Sequence, residues 1–321
     1  MDSLTQLALG AAVGHCVAGR RFGASAAVVG AVLGTLPDLD VLIRYDDPVA
    51  QMTYHRGWSH SLFWLSLASV PITFLLSRWR RFSNAWRTLW MMVWLCLITH
   101  PLLDAMTIYG TQLLLPFSDT PIGTGSVFII DPLVTVPIVV GLALAARRRW
   151  RQVGATVAGL SFAVVYLALG LGLQWRMMTV AQKAVPIANA SVIALPTPLN
   201  TARWRLLAHN DSTLCEQFSN AWQATVADQW YCRERGTSYL SEFETHWPVA
   251  RLAAFSKGWV IVEPVDNMLV IRDVRMGIPE QYLFSFRVAE QHPDGWRAIS
   301  AEQLPLADNA FSRWRRAYRI D

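Results

Sequence analysis

The sequence predicts an all-α polytopic membrane bundle of about four to six transmembrane or re-entrant helices, followed by a C-terminal, mainly β soluble domain. Three observations carry this expectation. Residues 1–175 contain six apolar runs. The same stretch has twelve Arg but no Lys, and eight Asp but no Glu. Beyond Trp175 the runs give way to alternation, among sixteen basic and fifteen acidic side chains that resemble the mixed surface of a soluble domain. Two domains are therefore expected, 1–175 and 176–321.

The runs are Leu4–Ala18, Ala24–Leu36, Ser61–Leu76, Leu89–Leu102, Pro132–Ala146 and Val153–Leu173. The last is long enough for a bilayer core of about 30 Å, which takes roughly 20 residues. The shorter runs need flanking Trp and Arg, a tilt, or a re-entrant hairpin, and the first two are the best hairpin candidates. The N-terminus opens with Asp2 and lacks a basic leader region, so retention is expected.

Charge sets the expected orientation, because Arg in short loops stays cytoplasmic. Ten Arg (20, 21, 78, 80, 81, 87, 147, 148, 149 and 151) fall in alternate connectors, whereas all eight Asp, with Arg44 and Arg56, fall in the others. A multi-pass protein of a bacterial inner membrane, with an extracytoplasmic C-terminal domain, is the expected arrangement. Trp58, Trp64, Trp79, Trp86, Trp90, Trp150 and Trp175 near segment ends are divided between an interfacial belt and ordinary packing. Arg clusters between apolar stretches do not form a nucleic-acid face; the expected partners are the lipid bilayer and a lipid-linked substrate.

Chemistry concentrates on the acidic side. His55 and His60 lie in YHRGWSHS, Asp38 and Asp40 in LPDLD, and His100 and Asp104 in HPLLD. If the helix continues past Pro101, His100 and Asp104 share a face. An extended LPDLD would aim both carboxylates the same way. Carboxylate and imidazole donors suit zinc first, with manganese or iron as alternatives, and ionisable groups at membrane depth cost roughly 2.5–3.5 kcal/mol each, so their accumulation asks for a function. Asp131 is as much a helix cap as a ligand candidate. Arg56 either grips an anion or pairs with Asp46 or Asp47, and His15 reads as helix packing.

In this order, MDSLTQLALGAAVGH, GTLPDLD, HRGWSHS and THPLLDAMTIYGTQLLLPFS resemble the YdjM-type family of bacterial membrane-bound proteins, described as metal-dependent hydrolases on the strength of motifs. The resemblance covers most of residues 1–135 and implies that Asp38, Asp40, His55, His60, His100 and Asp104 are the family's polar signature. On the residues themselves, Asp38, His55, His60, His100 and Asp104 are the expected ligands. Asp40 is a bridging ligand or general base, and Arg56 and Ser59 assist substrate binding. The expected activity is hydrolysis of an ester or phosphoester of a lipid-linked or amphipathic substrate. The alternative is a non-enzymatic scaffold or regulator with a structural metal.

In the C-terminal part, Tyr282–Ala289 alternates like a strand, Trp259–Glu263 and Met268–Arg272 flank a PVDN turn, and residues 211–235 read as helical. If the domain is periplasmic, Cys215 and Cys232 should form a disulfide.

Overall fold

A computed structural model describes residues 1–150, 152–222, 229–279 and 281–306. The chain divides into two compact units: residues 1–43, 56–172 and 198–200, and residues 44–55, 173–197 and 201–321. The first is helical. The second carries the sheets, so a helical N-terminal region followed by a C-terminal β domain is the architecture.

In the first unit, α1 (Ser3–Phe22) and α2 (Ala24–Thr35) form a hairpin around Gly23, whose φ of 59° suits a residue without a Cβ. Asp2 caps α1 by accepting from the Thr5 amide. The hairpin closes on two glycine pairs spaced four apart, Gly10 and Gly14 against Gly30 and Gly34. A Cβ on Gly10 would lie 2.3 Å from the Gly30 carbonyl oxygen, and one on Gly34 2.7 Å from that of Gln6. The backbones thus touch as in small-residue membrane helix pairs. After α2, Pro37–Leu42 makes a 3₁₀ helix and Trp58–His60 a second.

The remaining helices of this unit are α4 (Leu62–Ser77), α5 (Trp86–Asp104) and α6 (Pro132–Arg147), together with the start of α7 (Gly154–Ala184). Leu89, Met92, Val93, Cys96 and Leu97 of α5 are fully buried in the common core, against residues of α1, α2, α6 and α7. Asp131 caps α6 through the Leu133 amide and accepts a 2.8 Å hydrogen bond from Tyr166, the cap alternative of its two readings.

The number of membrane-capable helices corrects the expectation of four to six. Among the described residues one helix, α7, is long and apolar enough to cross a membrane. The number rises to two if the broken pair Pro48–His60 and Leu62–Ser77 is one span. The reason is length and burial. Twelve residues of α2 reach about 18 Å and sixteen of α6 about 24 Å, short of the hydrocarbon thickness, while α1 buries Thr5, Gln6 and His15 inside the unit.

The second unit contains α3 (Pro48–Tyr54) and the end of α7. It has a four-stranded antiparallel sheet, β1 (Ser191–Pro196), β2 (Arg203–His209), β3 (Thr213–Asn220) and β4 (Tyr231–Glu234), in chain order. Met177 and Ala181 of α7 pack on Val192, Ala194, Trp204 and Leu206 of this sheet. Two short helices follow, α8 (Thr237–Glu242) and α9 (Trp247–Phe255), then β5 (Val260–Val265) and β6 (Met268–Asp273). These strands form the expected hairpin, with Val265 opposite Met268. The small ribbon β7 (Gly277–Ile278) and β8 (Gln281–Tyr282) precedes β9 (Ser285–His292) and β10 (Gly295–Gln303), which complete a second sheet in the order β10-β9-β6-β5. Arg251 of α9 donates a 3.1 Å hydrogen bond to Thr53 and lies over the Tyr54 ring, which ties α3 into this unit.

The helical reading of 211–235 is wrong where the structure describes it. Residues 213–220 form β3, held between β2 and β4, and Cys215 is joined to Cys232 by a disulfide across the β3–β4 ladder. Pairing with β2 and β4 outweighs local helix preference there. Residues 223–228 of that prediction lie outside the described residues.

Candidate metal centre

Four side chains from three segments of the first unit converge: Asp38 from the first 3₁₀ helix, His60 from the second, and His100 and Asp104 from the last turn of α5. Pro101 sits inside α5 without ending it, so His100 and Asp104 stay one turn apart on one face. His60 Nε2 is 3.1 Å from His100 Nε2, 3.4 Å from Asp38 Oδ1 and 3.3 Å from Asp104 Oδ2. His100 Nε2 is 3.3 Å from Asp38 Oδ1 and 3.4 Å from Asp104 Oδ2.

The surrounding hydrogen bonds fix which atoms face inward. His100 Nδ1 donates to the Gly34 carbonyl at 2.6 Å, leaving its Nε2 lone pair for the cluster. His60 Nδ1 meets Ser59 Oγ at 2.8 Å, and that hydroxyl donates to Asp40 Oδ2 at 2.8 Å. Asp104 Oδ1 accepts from Gln6 Nε2 at 2.9 Å and pairs with the Met1 amino group. Asp104 Oδ2 is buried and has no hydrogen-bond partner among the described residues. With both imidazoles oriented this way, four acceptor atoms face one another, an arrangement that needs protons or a cation between them.

Their spacing fits a cation. A tetrahedral ion with bonds of about 2.0–2.1 Å separates its ligands by about 3.3–3.4 Å, and the five distances run from 3.1 to 3.4 Å. Burial pushes the Asp38 carboxyl up, but when the two imidazoles carry protons on Nε2 their hydrogen bonds outweigh it and hold the group below the usual carboxylate range; with Nε2 bare, a cation takes the place of those protons. It is therefore ready as an anion. Asp38 is also the most open of the four, with its side chain 24% exposed against 0–1% for the others.

Other expected site residues sit differently. Asp38 and Asp40 are not in extended chain: in a 3₁₀ helix, two residues apart means about 120° around the axis. Asp40 accordingly turns to Ser59 and to the Arg56 amide at 3.0 Å, with its carboxylate 3.6 Å from His60 Nδ1. His55 caps α3 at its C-terminal end. Arg56 pairs with Asp104 at 3.3 Å and not with Asp46 or Asp47. It donates to Thr107 at 3.2 Å, stacks over Tyr109, and holds a left-handed φ of 64°. Gln6 was missed. A lone amide within the run LTQLALG was the available signal, since a buried Gln requires partners.

The sequence model of the family described as "YdjM inner membrane protein" matches residues 1–178. Among curated proteins, "Uncharacterized protein YfhP" of Bacillus subtilis (strain 168) is 26% identical over 223 residues, 64% of this chain and 64% of its own length. "Inner membrane protein YbcI" of Escherichia coli (strain K12) is 32% identical over 93 residues, 28% of this chain and 53% of its own length. The matched stretch thus spans less than two thirds of either relative. No solved structure matches.

Proposed function

The chain belongs to the YdjM inner membrane protein family, and from that premise we propose that it is a membrane-bound, metal-dependent hydrolase acting on an ester or phosphoester of a lipid-linked or amphipathic substrate. The observation that carries the metal reading is the set of 3.1–3.4 Å separations among Asp38, His60, His100 and Asp104. Two imidazoles and two carboxylates are the donor set of zinc, with manganese or iron as alternatives. A divalent ion held there supplies polarisation of a carbonyl or phosphoryl oxygen and acidification of a water.

The chain's own groups divide the remaining work. Asp38, the most open of the four ligands, is the one a substrate would reach first. Asp40 and Ser59 hold His60 in its ligating tautomer, and Asp40 would accept a proton through Ser59. Arg56, paired with Asp104 at 3.3 Å, offers positive charge beside an anionic substrate. The disulfide Cys215–Cys232 supports an extracytoplasmic C-terminal domain, because such bonds persist in oxidising compartments.

A second reading is favoured by one observation: His60, His100 and Asp104 are almost wholly buried, as in structural sites with four protein ligands. In that reading the ion ties the helical unit together in a non-enzymatic scaffold. The two separate on one experiment. The purified chain is assayed for metal content and incubated with bacterial lipid phosphoesters and esters beside a His60→Ala control. Turnover above the control supports the hydrolase; bound metal with none supports the scaffold; absence of metal removes both.

The relay behind His60 has its own expected outcome. Ser59→Ala and Asp40→Asn should each weaken metal binding about 10–100-fold, the usual effect of losing an outer partner of a ligating histidine, with the helical content unchanged. Titration against a competing chelator measures it; unchanged affinity in both variants would remove the relay from the site.

A further inference from the structure

A second site lies elsewhere in the first unit. A cavity of about 620 Å³ is framed by the end of α1 at Arg21, the end of α4 at Ser77, the turn Phe82–Ala85 and the first turn of α5 at Trp86, Arg87 and Thr88. No acidic residue occurs between Asp2 and Asp38 or between Asp47 and Asp104, so none of these lining segments carries a negative charge. Arg20, Arg78, Arg80 and Arg81 add further positive charge next to them in sequence.

The cavity is built. Its Phe82 is 2% exposed and packs edge-on against Phe22 at 4.9 Å. Arg21 is anchored by a 2.7 Å hydrogen bond to the Asn84 carbonyl, and Arg81 by one of 2.9 Å to that of Phe22. Asn84 takes a φ of 64°, which turns the chain into α5. Ala85, the N-cap, provides no side-chain acceptor for the amides of the first turn. Arg21, Arg87, Thr88 and the amide end of a nineteen-residue helix therefore line one volume. Trp79 and Trp86, 61% and 45% exposed, flank it in sequence, the rings suited to the headgroup layer of a bilayer.

We propose that this cavity binds the phosphodiester of an anionic phospholipid headgroup. Donors without competing carboxylates select a phosphate oxyanion, and a basic recess between helices beside exposed Trp selects one presented by a membrane. The site is independent of the metal reading, since it shares none of the ligating residues.

The test uses the full chain in phosphatidylcholine nanodiscs, with and without phosphatidylglycerol, and reads bound lipid by native mass spectrometry. The wild type should retain phosphatidylglycerol over phosphatidylcholine. Arg21→Gln with Arg87→Gln should lower that preference on the order of 20-fold, the usual combined worth of two basic side chains at an anionic surface. Both side chains are exposed, and Arg87→Gln alone, at a residue with no hydrogen bond to lose among the described residues, should give a fivefold reduction on the order expected for one charge. Equal retention of the two lipids overturns the proposal. So does a preference untouched by either variant, or displacement of phosphatidylglycerol by millimolar inorganic phosphate, which would mark a site for soluble phosphate.

Discussion

A chain carrying both His60→Ala and His100→Ala should retain no divalent ion through purification, where the wild type retains close to one per chain. The single variants should each weaken affinity by more than the roughly 100-fold that loss of an outer partner can cost. The reason is geometric: the two Nε2 atoms are only 3.1 Å apart, and with Asp38 and Asp104 they define one coordination volume, so either imidazole removes a corner of it. Stability provides the second readout. An ion at a thousand times its dissociation constant stabilises the folded chain by about 4 kcal/mol, so a chelator should lower the melting temperature of the wild type and leave the double variant unmoved. In the chelated state the double variant should melt no lower than the wild type, because it no longer crowds two imidazoles against two carboxylates. Ion content by elemental analysis, with melting in matched detergent, decides the matter. Full metal occupancy in the double variant would place the ion elsewhere.

The second large effect belongs to the glycine seam between α1 and α2. Gly30→Ala should abolish the folded helical unit or destabilise it by about 3 kcal/mol or more, the upper range for overpacking. The new methyl would lie 2.3 Å from the Gly10 carbonyl and 3.1 Å from the Gly14 Cα, and backbone cannot step aside as a flexible side chain can. Metal should be lost with it, since Gly34 on α2 orients His100 and Gln6 on α1 holds Asp104. Gly172→Ala is the matched control. Nothing lies within 4 Å of a Cβ there, and Ala is the better helix former by about 1 kcal/mol. Limited proteolysis and metal content of both variants test the seam; equal behaviour would show that the hairpin can part.

Much of the centre was legible because its chemistry is written in residue types. His and Asp in apolar surroundings stand out on composition alone, and the four-residue spacing of His100 and Asp104 carries its own geometry. The conformation of LPDLD was not legible. Whether Pro37 starts a 3₁₀ turn or an extended segment depends on what packs beside it, and that choice sets which way Asp40 turns relative to Asp38. Composition also overstated the number of crossings. An apolar run reports that a segment is buried, and the buried Thr5, Gln6 and His15 of α1 show protein neighbours on its polar side. The strand at 213–220 was misread because its pairing with β2 across a short turn and its disulfide to β4 override the local preference of the segment.

Arg56 leaves a final consequence. A side chain with a Cβ is uncomfortable at a φ of 64°, and glycine or asparagine would sit there at less conformational cost. The position nevertheless carries a guanidinium wedged between Asp104, Thr107 and the Tyr109 ring. The loop thus trades backbone ease for a fixed positive charge, and a sequence optimised for folding alone would have no cause to keep it.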